Sequence, residues 1–252
     1  MHNPNDPRWG QEGRESKAEA ILKTMQMHTG QNLTDAVWLD IGCGSGGIAA
    51  TLAEHVRQVV AVDPESWARW EAFRNAHPNL VFHKGTYCSL GRLLKSNSVD
   101  VVVCNQVYEH VDDPVALLRA IHVALKPGGL CYFAGPNLLW PIEPHVFWPF
   151  VHWFPRQFAQ RVMHFFGSKR AHELDAWSWS YWRLTRAFAK TSFSWKLVVV
   201  ERIRAEAALH DSWLLRLAAR VPASLIVWLM PLVPAFIFVL TKPSAASLSG
   251  NV

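Results

Sequence analysis

The stretch Val37–Ala50, VWLDIGCGSGGIAA, decides the fold of this chain. It opens with a short apolar run, Val37 to Ile41, which predicts a buried strand. Three glycines follow at alternate positions, and a helical pattern begins at Ile48; the glycines are Gly42, Gly44 and Gly46. A strand, a glycine turn and a helix form the opening unit of a nucleotide-binding α/β sheet. Glycine lets the backbone turn tightly beside a ligand, and the free N–H groups of the helix N-terminus attract an anion.

Asp40 decides which cofactor this turn suits. Gly42, Gly44 and Gly47 also match the dinucleotide spacing G-x-G-x-x-G, so the glycines alone fit two kinds of cofactor. A carboxylate just before the first glycine would repel a pyrophosphate, but it would suit the ammonium of a methionine-type ligand. The stretch resembles motif I of the class I S-adenosylmethionine-dependent methyltransferases. That resemblance implies that Asp40 and the three glycines hold S-adenosylmethionine by its methionyl and ribose parts.

The strands that follow add further candidate residues for the cofactor. Gln58 to Val62 predicts a second buried strand, and Asp63 comes about 20 residues after the glycines, where a ribose-binding carboxylate is expected. Asp63 resembles the acid of methyltransferase motif II, and Pro64 is expected to open a helix that runs to about residue 76. After a third strand at 79–83, many relatives carry an acid that binds adenine. Thr86 and Tyr87 stand there instead, which leaves backbone groups and stacking on Tyr87 as candidates for adenine recognition.

A fourth strand at 98–104 is followed by Asn105, a further cofactor-binding candidate, and by the sequence NQVYEHVDDP. Pro114 is expected to open a helix that ends at LKPGG, before a fifth strand at 130–134. The ordered set LDIGCGSG, VDP, SVDVVVCNQVYEHV and LKPGG resembles the small-molecule, quinone-type group of class I methyltransferases. The resemblance covers residues 35–136.

We therefore predict an α/β fold: a doubly wound, mostly parallel, seven-stranded Rossmann-like sheet with an aromatic helical cap between strands 5 and 6. Strands 6 and 7 are expected at 194–200 and 235–241, the last one antiparallel as in the family. The whole chain, 1–252, is predicted to be one domain. Its parts are a flexible arm at 1–13, a cofactor-binding core at 14–136, a substrate cap at 137–190, a sheet completion at 191–242 and a tail at 243–252.

Charge and aromatic residues are distributed unevenly. Residues 1–137 carry 12 Lys and Arg against 14 Asp and Glu, whereas residues 138–252 carry 13 against 6 and include nine of the 13 tryptophans. A basic, aromatic region suggests a membrane surface or a lipid-like acceptor, although a helical cap with a solvated basic face has the same composition. Residues 221–240 are uncharged over 20 positions, the length of a bilayer span, but Pro231 and Pro234 interrupt them. We expect peripheral membrane contact through 205–240, and we weigh a transmembrane helix as the alternative.

The sequence EH at 109–110 supplies the candidate catalytic residues. Transfer of a methyl group to a hydroxyl requires positioning of the two reactants and removal of a proton, a task typical of His or Glu. We expect His110 or Glu109, just past strand 4, to perform it, and Glu143 and His145 are the next candidates. A purely structural role for His110 and Glu109 fits the sequence equally well. We predict no metal site, because these residues do not show the close spacing of a ligand set.

The predicted function is S-adenosylmethionine-dependent O-methylation of a small or amphipathic acceptor, such as a quinone, a lipid or a lipid-linked glycan. An NAD-dependent oxidoreductase and a non-catalytic cofactor-binding module of the same fold are the alternatives. Methylation of nucleic acid is not expected, because NQVY replaces the Pro-Pro-aromatic motif of that group at the exit of strand 4. Four cysteines without a C-x-x-C pair predict buried reduced thiols. With no apolar leader at the N-terminus, we expect a cytoplasmic protein at the inner face of a membrane.

Overall fold

The computed structural model of the chain describes residues 11–30, 32–174, 176–229 and 233–244. Residues 1–10 of the predicted arm and residues 245–252 of the predicted tail lie outside this part. The first helix begins at Gln11, so residues 11–13 of the predicted arm are helical.

One sheet of seven strands organises the fold. Its strands are β1 Val37–Ile41, β2 Gln58–Asp63, β3 Leu80–Lys84, β4 Val99–Asn105, β5 Leu125–Pro136, β6 Ser194–Leu197 and β7 Ala235–Thr241. The spatial order is β3-β2-β1-β4-β5-β7-β6. The first five strands pair in parallel, and β7 runs antiparallel to both β5 and β6. The predicted doubly wound, mostly parallel sheet is confirmed.

The helices of the described residues connect these strands and cover both faces of the sheet. They are α1 Gln11–Thr29, α2 Gly47–Ala53, α3 Arg69–Ala76, α4 Leu90–Leu93, α5 Pro114–Ala124, α6 Arg156–Phe165, α7 Tyr181–Lys190, α8 Val199–Leu209, α9 Trp213–Ala218 and α10 Ala223–Leu229. Because both faces are covered, alternate side chains of one strand enter two different apolar cores: Val101 and Val103 of β4 pack in one, Val102 and Cys104 in the other. This explains the unbroken apolar runs of the strands.

Several predicted boundaries were wrong, and side-chain hydrogen bonds, one local and one long-range, explain two of them. The helix expected after Pro64 begins only at Arg69, because the Asp63 carboxylate accepts the Glu65 N–H and holds the chain in a turn. The helix opened by Pro114 ends at Ala124, and LKPGG belongs to β5. Lys242, which follows β7, donates through Nζ to the carbonyl oxygens of His122 and Leu125 and so satisfies the end of this helix. Strand β6 ends at Leu197, and residues 199–200 begin α8.

The inserted region between β5 and β6 divides into two parts. Helix α7 packs on the sheet, since Leu184, Ala187 and Phe188 belong to one of its two apolar cores. Residues 137–180, which we call the cap, have a small apolar cluster of their own: Val146, Val151, Ala159, Met163, Ala171 and Leu174. The predicted cap at 137–190 therefore includes one helix that belongs to the sheet.

The long uncharged segment 221–240 does not form one helix. Its described residues comprise the seven-residue helix α10 and most of the buried strand β7. Among the described residues, no helix has both the length and the apolar character needed to cross a membrane. Cys88 also differs from expectation, because it is exposed whereas Cys43, Cys104 and Cys131 are buried.

Candidate active site

The glycine turn between β1 and α2 lies at the carboxyl edge of the sheet. Gly42, Gly44 and Gly46 all have positive φ, at 70°, 52° and 87°, a region that L side chains rarely adopt. A Cβ on Gly46 would lie 2.6 Å from Cζ of Phe82, and a Cβ on Gly42 would lie 2.6 Å from Cγ2 of Val107. The turn is therefore packed closely against β3 on one side and against the loop after β4 on the other.

Asp63 at the end of β2 holds this turn in place. Its Oδ2 accepts the Gly44 N–H at 2.8 Å, and its Oδ1 accepts the Glu65 N–H at 3.0 Å and the Trp67 Nε1–H at 3.4 Å. A carboxylate has about four lone-pair sites, so these three bonds leave one acceptor site for a ribose hydroxyl. The neighbouring Pro64 is exposed. Asp63 thus connects the turn to the position where the sequence predicts ribose binding.

Asp40 is the buried acid of the turn. Its side chain is nearly inaccessible, and Oδ2 has no hydrogen-bond partner among the described residues. Burial, with a smaller contribution from the nearby Asp63, raises the pKa of Asp40 to about 7 against the opposing effect of the Arg14 guanidinium. A buried acceptor without a partner is costly. An ammonium group would satisfy it, so the residues of this turn fit the methionyl end of S-adenosylmethionine.

Two side chains of the turn were missed by the sequence analysis. Arg14 of α1 lies over it, with Cδ 2.8 Å from the position of a Cβ on Gly47. Trp70 of α3 donates its Nε1–H to the Gly44 carbonyl at 2.9 Å and stacks on Phe82 with ring centroids 4.8 Å apart. Neither residue belongs to a local motif, so no sequence signal near the glycines pointed to them.

The remaining cofactor candidates lie at the carboxyl ends of β3 and β4. Thr86 is exposed, and its Oγ1 accepts the Cys88 N–H at 3.3 Å, which caps a short 3-10 turn. Tyr87 is partly buried against the sheet core. Asn105 ends β4 and is half-buried. Their assignment to the cofactor stays a prediction, although all of them lie at the edge that carries ligands in such sheets.

Glu109 follows β4 in a short 3-10 turn and is completely buried. Neither of its carboxylate oxygens has a hydrogen-bond partner among the described residues. Burial raises its pKa to about 8. The backbone around it is tied to the cap, since Trp177 donates its N–H to the Glu109 carbonyl at 2.7 Å and Trp179 donates to the Tyr108 hydroxyl at 3.2 Å.

The cap brings a second carboxylate and a second histidine to this position. Glu143 is fully buried, and its Oε2 accepts the N–H groups of His145 and Val146, each at 2.7 Å. Its Oε1 lies 2.7 Å from Nδ1 of His145. Burial alone would raise the pKa of Glu143, but these hydrogen bonds outweigh it and lower the pKa below its usual value. The result is a histidine ring held in a fixed orientation by a charged carboxylate.

Three side chains, two from the turn after β4 and one from the cap, lie close together. The rings of His110 and His145 meet edge to face with centroids 5.1 Å apart. One ligand-type atom each from Glu109, His110 and His145 lies within 4.8 Å of the other two. Such a cluster can accept a proton or hold a divalent ion. Our expectation that the chain has no metal site stays a prediction, as do the catalytic roles of Glu109 and His110.

Comparison with known proteins identifies the family. The family model described as a methyltransferase domain matches residues 11–192. A ubiquinone biosynthesis O-methyltransferase from Albidiferax ferrireducens is 35% identical over 103 residues, which are 39% of this chain and 40% of that protein. One from Idiomarina loihiensis is 30% identical over 138 residues, 52% of this chain and 56% of that protein. The chain thus spans about half, or less, of the length of these curated relatives.

The solved structures agree on the fold. The structure of an S-adenosylmethionine-dependent methyltransferase from Mesorhizobium loti superposes with a TM-score of 0.56, at 15% identity, and covers 92% of this chain and all of that one. Because the family model matches most of the chain, the chain belongs to the methyltransferase-domain family, and its sheet has the class I fold of that solved structure.

Proposed function

We propose that this methyltransferase methylates a hydroxyl group of a small or amphipathic acceptor, with the cluster of Glu109, His110 and His145 taking up the hydroxyl proton. The observation that carries the proposal is the convergence of these three groups beside the glycine turn. Val107, two residues before Glu109, contacts Gly42 of that turn. An acceptor at the cluster would therefore lie next to the cofactor loop.

S-adenosylmethionine supplies a methyl group that is already activated as a sulfonium. The protein mainly has to position the acceptor, exclude water and remove one proton. When the acceptor hydroxyl is methylated, an imidazole of the His110–His145 pair would take up its proton. Glu143 orients His145 for this step. Because the pKa of Glu109 is about 8, its carboxyl group is largely protonated at pH 7, so Glu109 takes up the proton only in its ionised fraction and the imidazoles are the main proton acceptors.

The proposed class of acceptor is based on the names of the curated relatives and on apolar side chains that are exposed at the protein surface. The two curated relatives are named as ubiquinone biosynthesis O-methyltransferases, which supports a quinone-type hydroxyl acceptor over an amine. A lipid or a lipid-linked glycan also fits an amphipathic acceptor. Contact with a membrane through 205–240 is supported by six exposed apolar side chains: Trp213, Leu214, Leu217, Leu225, Trp228 and Leu229.

The test supplies purified full-length protein and S-adenosylmethionine with a catechol, its prenylated derivative and the matching aromatic amine. Release of S-adenosylhomocysteine measures turnover. We expect the two hydroxyl acceptors, and not the amine, to be methylated. His110→Ala should lower kcat by about 100-fold, whereas His55→Ala, at an exposed histidine remote from the cluster, should not change it.

Other results would overturn parts of the proposal. Equal turnover of the amine would reject the hydroxyl acceptor, and unchanged turnover of His110→Ala at several pH values would remove the cluster from catalysis. Activity that is lost in EDTA and restored by Mg²⁺ would show that the cluster binds a metal ion and does not act as a general base.

A further inference from the structure

The cap exposes an unusual amount of aromatic surface. Six aromatic side chains within residues 150–166 form what we call the cap surface, and each is at least 46% exposed: Phe150, Trp153, Phe154, Phe158, Phe165 and Phe166. Phe165 alone is 84% exposed. Contiguous exposed apolar patches of this kind mark sites of interaction. The cap surface is separate from the proton-accepting cluster and has no role in the proposed chemistry.

Several of these aromatic side chains contact one another, and three of the six line a cavity. Ring pairs within the cap surface lie close together, Phe154–Phe158 at 5.4 Å and Phe165–Phe166 at 5.3 Å between centroids. Phe154, Phe158 and Phe166, together with Trp148, line an apolar cavity of about 340 Å³. This volume lies in the range of small-ligand pockets. Its lining suits a length of hydrocarbon chain rather than a polar group.

The charge around the cap surface has one sign. From residue 144 to residue 172 the sequence contains four Lys and Arg and no Asp or Glu. On α6, Phe158, Arg161 and Phe165 are exposed and follow the i, i+3, i+7 spacing of one helix face. Arg156 and Lys169 are exposed as well. Segment 205–240, by contrast, carries two basic and two acidic residues. The whole cap carries four basic and three acidic residues, so its positive charge is concentrated between residues 144 and 172.

The cap and the segment before β7 meet at the carboxyl edge of the sheet. Asn137, the first residue of the cap, donates its N–H to the Pro234 carbonyl at 3.0 Å and its side-chain amide to the Val233 carbonyl at 2.8 Å. Glu109 and the glycine turn lie at the same edge. A surface that binds the cap would therefore lie on the side of the molecule where an acceptor enters.

We propose that the cap surface docks on an anionic phospholipid bilayer, with its aromatic rings at the interface, its cations on the lipid phosphates and one hydrocarbon chain in the apolar cavity. Aromatic and cationic side chains on one face are typical of helices that lie in a membrane interface. A second copy of the chain fits less well, because two such faces would bring like charges together. The docking surface does not depend on the identity of the methyl acceptor.

The test sediments the purified protein with vesicles of phosphatidylcholine alone and with vesicles that contain about one third phosphatidylglycerol. We expect binding to the anionic vesicles, weakened by high salt. Each Lys or Arg near such a surface contributes about 1 kcal/mol, so Arg156→Gln with Arg161→Gln should weaken binding by about 30-fold. Arg92→Gln with Arg119→Gln, two exposed positions on α4 and α5, removes the same charge and should leave binding within about twofold of the wild type.

Phe158→Gln with Phe165→Gln tests the apolar part of the surface. Because both side chains are exposed, the fold should persist, and calorimetry with S-adenosylmethionine checks this in every variant without requiring turnover. We expect at least about tenfold weaker vesicle binding. Equal binding to neutral and anionic vesicles, or binding unaffected by both cap variants, would overturn the proposal. Either result would favour segment 205–240 as the membrane-binding surface. If the protein formed a concentration-dependent dimer that the Phe variant did not form, the cap surface would bind a second copy of the chain and not a bilayer.

Discussion

The cofactor edge of the sheet and the cap hold their polar groups in different ways. At the sheet edge, Asp63 and Trp70 bond to the backbone of a turn that is closely packed on two sides. In the cap, Glu143 orders His145 within one short loop, and a small apolar cluster packs apart from the sheet cores. A few backbone contacts, such as Trp177 to Glu109, join the two regions. From this difference we expect cofactor binding to depend on the sheet edge, and turnover to depend on the positions of both regions relative to each other.

The sharpest test of this division changes the cap and leaves the sheet edge intact. His145→Ala should lower kcat by about 10²- to 10⁴-fold, because it removes a proton acceptor, while the affinity for S-adenosylmethionine stays the same. Single-turnover kinetics and calorimetry measure the two quantities. His172→Ala, at an exposed histidine of the cap, is the matched control. A parallel loss of cofactor affinity would show that the two regions are not separable.

The converse variant changes the sheet edge. Asp63→Ala removes the acceptor for the N–H groups of Gly44 and Glu65 and for the Trp67 indole. It should weaken S-adenosylmethionine binding by about 100-fold, since three bonds to a charged group are lost. Calorimetry measures the affinity, and Asp35→Ala, an exposed acid in the loop before β1, is the control. If binding survives in the Asp63 variant, the turn is held by packing alone.

Asp40 should make cofactor affinity depend on pH. The groups around it are Arg14, Asp63 and the thiols of Cys43 and Cys104. With a pKa of about 7, Asp40 holds a proton in the free protein at pH 6, and the cofactor ammonium would displace it. Affinity should therefore increase by up to about tenfold per pH unit between pH 5.5 and 7, with proton release in calorimetry. Asp40→Asn should bind weakly, without this slope.

The same group links pH to stability. Unfolded Asp40 would lose its proton near its ordinary pKa of 3.8, whereas the folded protein keeps it to about pH 7. The folded state then binds more protons between these values, so the cofactor-free protein should become less stable as pH rises through this window. Asp40→Asn should remove this loss and raise the melting temperature at pH 8. A lower melting temperature of the variant would contradict the assignment.

The smallest expected change in cofactor affinity comes from removing one hydrogen bond that supports the glycine turn. Trp70→Phe keeps an aromatic ring on Phe82 but removes the donor to the Gly44 carbonyl. The loss of one neutral hydrogen bond is worth about 1 kcal/mol, so affinity for S-adenosylmethionine should fall by about fivefold while kcat stays unchanged. Stopped-flow binding measures it. A change in kcat would show that the turn also sets the position of the acceptor.

Local sequence was sufficient for most of the sheet and for the cofactor turn. Strand β7 lies where its apolar run predicted it, and β1, β2 and β4 agree within a residue. Glycines with positive φ and an acid after β2 belong to short motifs, so their positions follow from nearby residues. The predicted cofactor residues accordingly lie together at one edge of the sheet.

The residues that contact this edge from distant parts of the chain could be found only in the tertiary structure. Arg14 covers a turn that comes about 30 residues later, and His145 reaches His110 from the other side of β5. The end of α5 depends on Lys242, more than a hundred residues away. These contacts join residues through packing and long-range hydrogen bonds, which leave no periodic or spacing signal in the sequence. The chain's own motifs predicted the family, which the comparison confirmed, and the proposed cofactor, whereas the arrangement of Glu109, His110 and His145 came from how the cap folds back onto the sheet.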